Sequence, residues 1–288
     1  TLNGSTGLLS GTPSATGSFT FKVKVTDALG NTCEREYVIT IVSGEMTFND
    51  YLIANNLYVF GNVLTITGSS TIDGPDAMVC IKEDSTLGDA SINYVATKTI
   101  YFEGDVYLHN CRVGITGGRS SVYIDGDVNI WGGSNNDPRI HGDLYYTGDL
   151  NVASYLNPSR MVTHTINHVD TITPPNYPIP PLKPAQWYQD HGYTSNSTIR
   201  DNMKYYGPAI VLRDTGNNHF YNSIIASTGN ITLSGNVHGS GILFAPNGKV
   251  EINGSSTFVG IIVAREVLVS GNSHVTFQAV ANAEDLPF

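Results

Sequence analysis

The chain has 288 residues, enough for one large or two modest domains, and only 14% of them are charged; its wealth of Gly, Asn, Ser and Thr excludes a mainly helical or disordered chain. A net charge of -10 and a pI near 5.1 repel phosphate backbones and anionic headgroups, which argues against nucleic acid as a partner. No run of 18 apolar residues offers direct membrane insertion, and Thr1 opens in mid-motif without a charged n-region or apolar h-region, so we read a secreted fragment whose export signal or anchor lies upstream.

The first elements in chain order are two alternating apolar stretches, Phe19 to Val25 and Tyr37 to Ile41, flanking a turn at Leu29-Gly30-Asn31. They predict a half-buried antiparallel hairpin. With Gly11-Thr12-Pro13 ahead of it, this order is similar to the second half of the Ig-like repeats of bacterial surface proteins. That resemblance implies a partial Ig-like spacer or cap over residues 1–44.

From residue 45 onward the chain repeats itself. Leu57-Tyr58-Val59-Phe60-Gly61-Asn62-Val63 aligns with Ile100-Tyr101-Phe102-Glu103-Gly104-Asp105-Val106, Val122-Tyr123-Ile124-Asp125-Gly126-Asp127-Val128 and Leu144-Tyr145-Tyr146-Thr147-Gly148-Asp149-Leu150, the last three at steps of 22. A second family, Ile231-Thr232-Leu233-Ser234-Gly235, Val250-Glu251-Ile252-Asn253-Gly254 and Val267-Leu268-Val269-Ser270-Gly271, runs at shorter steps. Periods near 20 are the length of one solenoid coil. Alternate apolar residues point inward, and Gly-Asn or Gly-Asp corners supply the turn. One coil cannot bury its own face, so coils must stack. The expected fold is therefore all-β, a right-handed parallel β-solenoid spanning 45–288. Residues 152–209 interrupt it with eight prolines, from Pro158 to Pro208, and predict a proline-rich belt packed along the flank, with a short helix near Pro184 to His191.

Chemistry-bearing residues follow from the same register. Tyr58, Tyr101, Tyr123 and Tyr145 share one phase between inward apolar residues and are expected to point outward in a column. Planar rings on a flat β-surface suit the apolar faces of sugars, although such a column also serves as a stabilising ladder or a floor for the belt. Trp131 beside Gly132-Gly133, and Tyr177, Trp187, Tyr188 and Tyr193 in the belt, are the other candidate polysaccharide contacts. Asp105, Asp127 and Asp149 recur in file, where either structural calcium or solvated Asx corners would relieve the repulsion; the corner reading is favoured because Asn62 and Asn230 stand at equivalent places. Cys33, Cys80 and Cys111 lack metal spacing and read as buried small hydrophobes, with an 80–111 disulfide as the alternative. No paired carboxylates with an adjacent Arg or Lys stand out, Ser195, Ser197 and His191 lack a nucleophile elbow, and the histidines lack metal spacing, so neither catalytic residues nor a cofactor are expected.

The run from Ile224 through Phe277 to Phe288, preceded by Pro174 to Pro184, resembles the tail of β-solenoid proteins encoded with bacterial type IV pili, in particular the tāpirins. This resemblance implies a bacterial cell-surface, extracellular adhesin. Its partners would be insoluble plant polysaccharide such as cellulose, and type IV pilus components. A structural pilus-associated module and a polysaccharide lyase or hydrolase on a β-helix are the alternatives.

Overall fold

The computed structural model describes residues 17–41, 46–89, 91–213, 219–279 and 286–288. The chain divides into two compact units, Thr1–Thr47 and Phe48–Phe288. The boundary expected after residue 44 falls outside the described residues, as do Gly11-Thr12-Pro13 and Glu284-Asp285.

In the first unit, strands Gly17–Thr26 and Thr32–Ile41 pair antiparallel, with Thr26 opposite Thr32. Asp27 closes the turn, accepting from the amides of Leu29 and Asn31 and from Asn31 Nδ2, all at 2.9 Å, while Gly30 takes a φ of 84°. Phe21, Val23 and Ile39 are half-buried, but Phe19 and Val38 lie open, so the hairpin is more exposed than its alternation predicts. A lone two-stranded ribbon has only one layer to offer.

The second unit is a parallel β-solenoid of about 10 turns. After a short helix, Phe48–Ala54, the chain enters at Leu57–Ile66, in the middle of the stack. It winds outward through Thr71–Ile81, Asn93–Phe102, Ser120–Ile124 and Ile140–Tyr146 to Ile166–His168, each strand parallel to the one before. We call that the distal end. The chain then crosses to the opposite, return end and winds inward through Lys204–Gly207, His219–Ser227, His238–Ile252 and Thr257–Val269. Thr257–Val269 finally pairs in parallel with Leu57–Ile66, from Ile262 opposite Val59 to Val269 opposite Ile66, and His274–Thr276 pairs with the start of Thr71–Ile81. In space, the second half of the sequence precedes the first.

Inward files hold the stack together. Val59, Val79, Ile100, Val122 and Leu144 lie above one another, as do Val269, Ile66, Leu87, Leu108 and Ile130, and every one of them is buried. Each such side chain contributes roughly 1.5–3 kcal/mol of transfer free energy. Cys80 and Cys111 are free and buried, Cys33 is free and exposed, and the alternative 80–111 bridge is not formed. Cys80 stands opposite Tyr101 and Cys111 opposite Asn93, in separate strands of the coil. Burial pushes the Cys80 thiol up to about 12.

The belt is shorter than its proline content implied. Residues 152–209 were expected to leave the stack entirely, yet Ile166–His168 and Lys204–Gly207 are ladder strands, and the crossover covers only 169–203. Pro158 opens a 3-10 turn capped by Asn157, and Pro208 sits between two strands, so neither proline removes a ladder donor. Ten layers about 4.8 Å apart span roughly 45 Å, well within reach of thirty-five residues at about 3.1 Å each in extended form.

Candidate functional site

The outward face between these inward files explains the crossover's path. Through the ladder register one file runs Tyr145, Tyr123, Tyr101, Cys80, Phe60, Val263, Phe244, Ala226, Tyr206, almost wholly apolar. Exposed, it would be a liability, and it is covered along its length. Residues 169–173 flank the three tyrosines, Phe48 packs on Phe60 and Phe288 on Phe244, and Tyr188 stacks on Tyr206 with centroids 4.0 Å apart. Tyr177 joins Tyr51 and Phe48 midway, and Lys82 Nζ donates to the Pro175 carbonyl at 3.4 Å.

This packing relocates the sequence-predicted contacts. Tyr58, expected in the outward column, is buried: the ladder slips between Leu57 and Val59, Tyr58 packs against Phe277, and its place in the file goes to Phe60. Tyr188 and Tyr193 are buried as well, Tyr188 with its hydroxyl donating to the Pro287 carbonyl at 2.8 Å. Tyr177 is half-buried among aromatic neighbours, and Trp187 has one face stacked on His191 at 3.9 Å.

Tyr101, Tyr123 and Tyr145 do stand in vertical file. Their centroids are 4.6 and 4.9 Å apart and their planes within 10° and 16° of parallel. Rings piled in this way spend their faces on one another and turn their edges outward, toward a shallow recess of about 160 Å³ shared with Val169 and Thr171. A sugar needs a face, and the middle ring offers none.

Trp131 differs. It is 50% exposed, its register partner is His109, and that imidazole meets it edge-on at 90° with centroids 6.1 Å apart. Two residues earlier in each coil, Tyr107, Asn129 and Asn151 form an outward file on the same flank, with Asn151 Nδ2 donating to Asn129 Oδ1 at 3.1 Å. Tyr155, 60% exposed, joins this patch by accepting from the Gly132 amide at 2.9 Å through its hydroxyl. Tyr107 and His109 carry a signal in the sequence, since they precede Asn129 and Trp131 by the same 22-residue step as the tyrosine column. Tyr155 carries none, because it lies in a loop beyond the repeat.

The turn bearing Trp131 is fixed from beneath. Arg139, fully buried, donates from Nη2 to the Gly132 carbonyl at 3.0 Å and to Asn110 Oδ1 at 3.2 Å, and from Nη1 to Asp137 Oδ2 at 2.8 Å. A Cβ on Gly133, whose φ is 74°, would collide with that guanidinium. Asp137 also accepts from Arg112 Nε at 2.7 Å, and despite burial the two arginines hold its carboxyl below the usual range. Arg112 donates in turn to the Tyr94 hydroxyl. The site's charges thus serve to brace a rigid turn.

The aspartate file has an internal answer to its repulsion. Asp84 Oδ1 accepts the Asp105 amide at 2.9 Å, Asp105 Oδ1 the Asp127 amide at 2.8 Å, and Asp127 Oδ1 the Asp149 amide at 2.8 Å. Asn230 does the same for the Lys249 amide at 2.9 Å. Among the described residues no group of three His, Cys, Asp or Glu side chains is placed to hold a metal ion.

Residues 1–42 match the family model named Putative Ig domain, so the described strands Gly17–Thr26 and Thr32–Ile41 fall within that match. Neither a curated protein nor a solved structure matches the chain.

Proposed function

We propose that the solenoid is a non-catalytic adhesive module that holds insoluble plant polysaccharide, cellulose first among them, at a bacterial cell surface. The observation carrying this reading is the braced, half-exposed Trp131 ring beside the exposed Tyr155, with the amides of Asn129 and Asn151 on the same flank. Aromatic faces take the C–H faces of sugar rings while amides and phenols bond their hydroxyl edges. The extracellular location and a link to type IV pili rest on the resemblance of the coils and proline-rich crossover to tāpirin-like proteins.

The test is depletion from solution by microcrystalline cellulose, with xylan and pectin alongside. Each ring contributes about 1 kcal/mol, so replacing both Trp131 and Tyr155 by alanine is expected to weaken adsorption roughly 30-fold with the fold intact. Wild-type protein left in every supernatant would remove the adhesin reading. Undiminished adsorption of the double variant would remove the Trp131 assignment alone.

A further inference from the structure

At the return end a second concavity of about 700 Å³ opens between the loop that brings the crossover back, residues 197–201, and the strand Ile210–Arg213. Its volume lies within the range of small-ligand sites, roughly 300–1,000 Å³. Ile199, Leu212 and Val237 supply apolar wall, and Arg200, Arg213 and His219 line it with cationic or polar groups.

The loop wall is built, not draped. Ser223 Oγ donates to the Arg200 carbonyl at 2.7 Å, the Tyr221 amide to Asp201 Oδ1 at 2.9 Å, and the Asn202 amide to the Tyr221 carbonyl at 2.8 Å. These bonds tie the loop to the strand His219–Ser227. Tyr221, 48% exposed, stacks on His219 at 5.4 Å and extends an aromatic surface from the recess.

Charge singles this place out. Arg112, Arg119, Arg139 and Arg265 each hold a carboxylate, whereas among the described residues Arg35, Arg160, Arg200 and Arg213 have no ion-pair partner, and of these four only Arg200 and Arg213 line a common recess. Among the described residues Asp201 is the one acid lining the recess, and one of its oxygens is committed to the Tyr221 amide. In a chain of net charge -10, two arginines that line one mixed polar and apolar recess and hold no carboxylate among the described residues amount to a candidate anion site.

We propose that this recess binds an anionic sugar of one or two rings, its acid group held by Arg200 and Arg213 and its ring seated on the apolar wall. Carboxylated and sulfated sugars share that chemistry, and the experiment separates them. The inference does not depend on the Trp131 patch, which lies on the other half of the stack.

The experiment is titration calorimetry of the whole chain with digalacturonate, a sulfated disaccharide and neutral cellobiose at low and high salt. Saturable binding of an anionic dimer is expected, weakened at least about tenfold by the double variant Arg200→Gln/Arg213→Gln and also by 0.5 M salt, and retained by Trp131→Ala. Preference for digalacturonate or for the sulfated dimer identifies which anion the arginines receive. The proposal is overturned if neither anionic dimer binds, if cellobiose binds equally well, or if the double variant, shown folded by an unchanged thermal melt, binds as the wild type does. A failed cellulose pull-down leaves this site standing, and the reverse also holds.

Discussion

Replacing Tyr123 by alanine separates holding the coils from holding a ligand. Tyr123 is sandwiched between Tyr101 and Tyr145 at 4.6 and 4.9 Å, and each aromatic pair contributes about 0.5–1.5 kcal/mol beyond its area. Its half-buried side chain adds roughly 100 Å² of lost burial, about 2.5 kcal/mol at 25 cal/mol per Å². The expected loss is therefore about 3.5–5.5 kcal/mol, read as a lower midpoint in urea unfolding with the slope unchanged. Tyr123→Phe keeps both ring faces, and since its hydroxyl has no bonded partner among the described residues, it should stay within about 0.5 kcal/mol of wild type. Cellulose adsorption, measured on the same proteins, should be unaltered by either change. A stable Tyr123→Ala protein, or one that keeps its stability but loses adsorption, would refute the ladder and return the column to the binding surface.

Stability should fall in two steps on acidification. Burial holds the His141 imidazole below its ordinary 6.5, and Arg119 with Thr165 holds the Asp143 carboxyl well below 3.8, so in both cases the unfolded chain binds more protons. The melting temperature should decline first as pH drops through about 6.5 and again below about 4, with His141→Gln removing the first decline and Asp143→Asn reducing the second, to which Asp137 also contributes; a flat profile from 7.5 to 5.5 would contradict the His141 argument. Because the carboxylates of Asp84, Asp105 and Asp127 each already meet a backbone amide, a chelator should move the melting temperature by no more than about 1 °C, and a larger loss restored by calcium would reverse that reading. A protease site inserted at the exposed turn after His191 should yield two chains that elute together, since seven register pairs join Thr257–Val269 to Leu57–Ile66 and three more join His274–Thr276 to Thr71–Ile81; separate elution would mean that the crossover, not the seam, holds the halves.

The coil was legible because its corners are chemically marked. Gly104-Asp105, Gly126-Asp127 and Gly148-Asp149 recur at 22 residues, and the amides that Asp105 and Asp127 accept lie one such step away. Tyr58 was misplaced because a slip in the ladder moves the register without changing composition: Leu57-Tyr58-Val59 looks like Ile100-Tyr101-Phe102, yet it is Val59-Phe60 that lies in file with Ile100-Tyr101. The belt was overdrawn because proline density does not distinguish a corner proline such as Pro208 from one that breaks a ladder. Trp131 was visible as a lone aromatic, but its support by Arg139 and its neighbour Tyr155 were not, since loop contacts leave no period behind.

The winding order was invisible for a deeper reason. Within each half, paired residues lie about one coil apart in sequence, so their loops close at small entropic cost and local stacking can proceed unaided. The seam is different: Ile262 meets Val59 and Val275 meets Ile72 across some two hundred residues. No local pattern can announce such a pairing, because parallel strands of any two coils offer the same alternation. What selects it is the alternative. Without the seam, Leu57–Ile66 and Thr257–Val269 would each present an open edge and a strand-wide apolar floor to solvent. Docking them satisfies both, and the crossover that makes docking possible also covers the apolar file on the flank. The Trp131 patch lies on one side of that seam and the arginine-lined recess on the other, so the same pairing that closes the core fixes the separation of the two proposed sites.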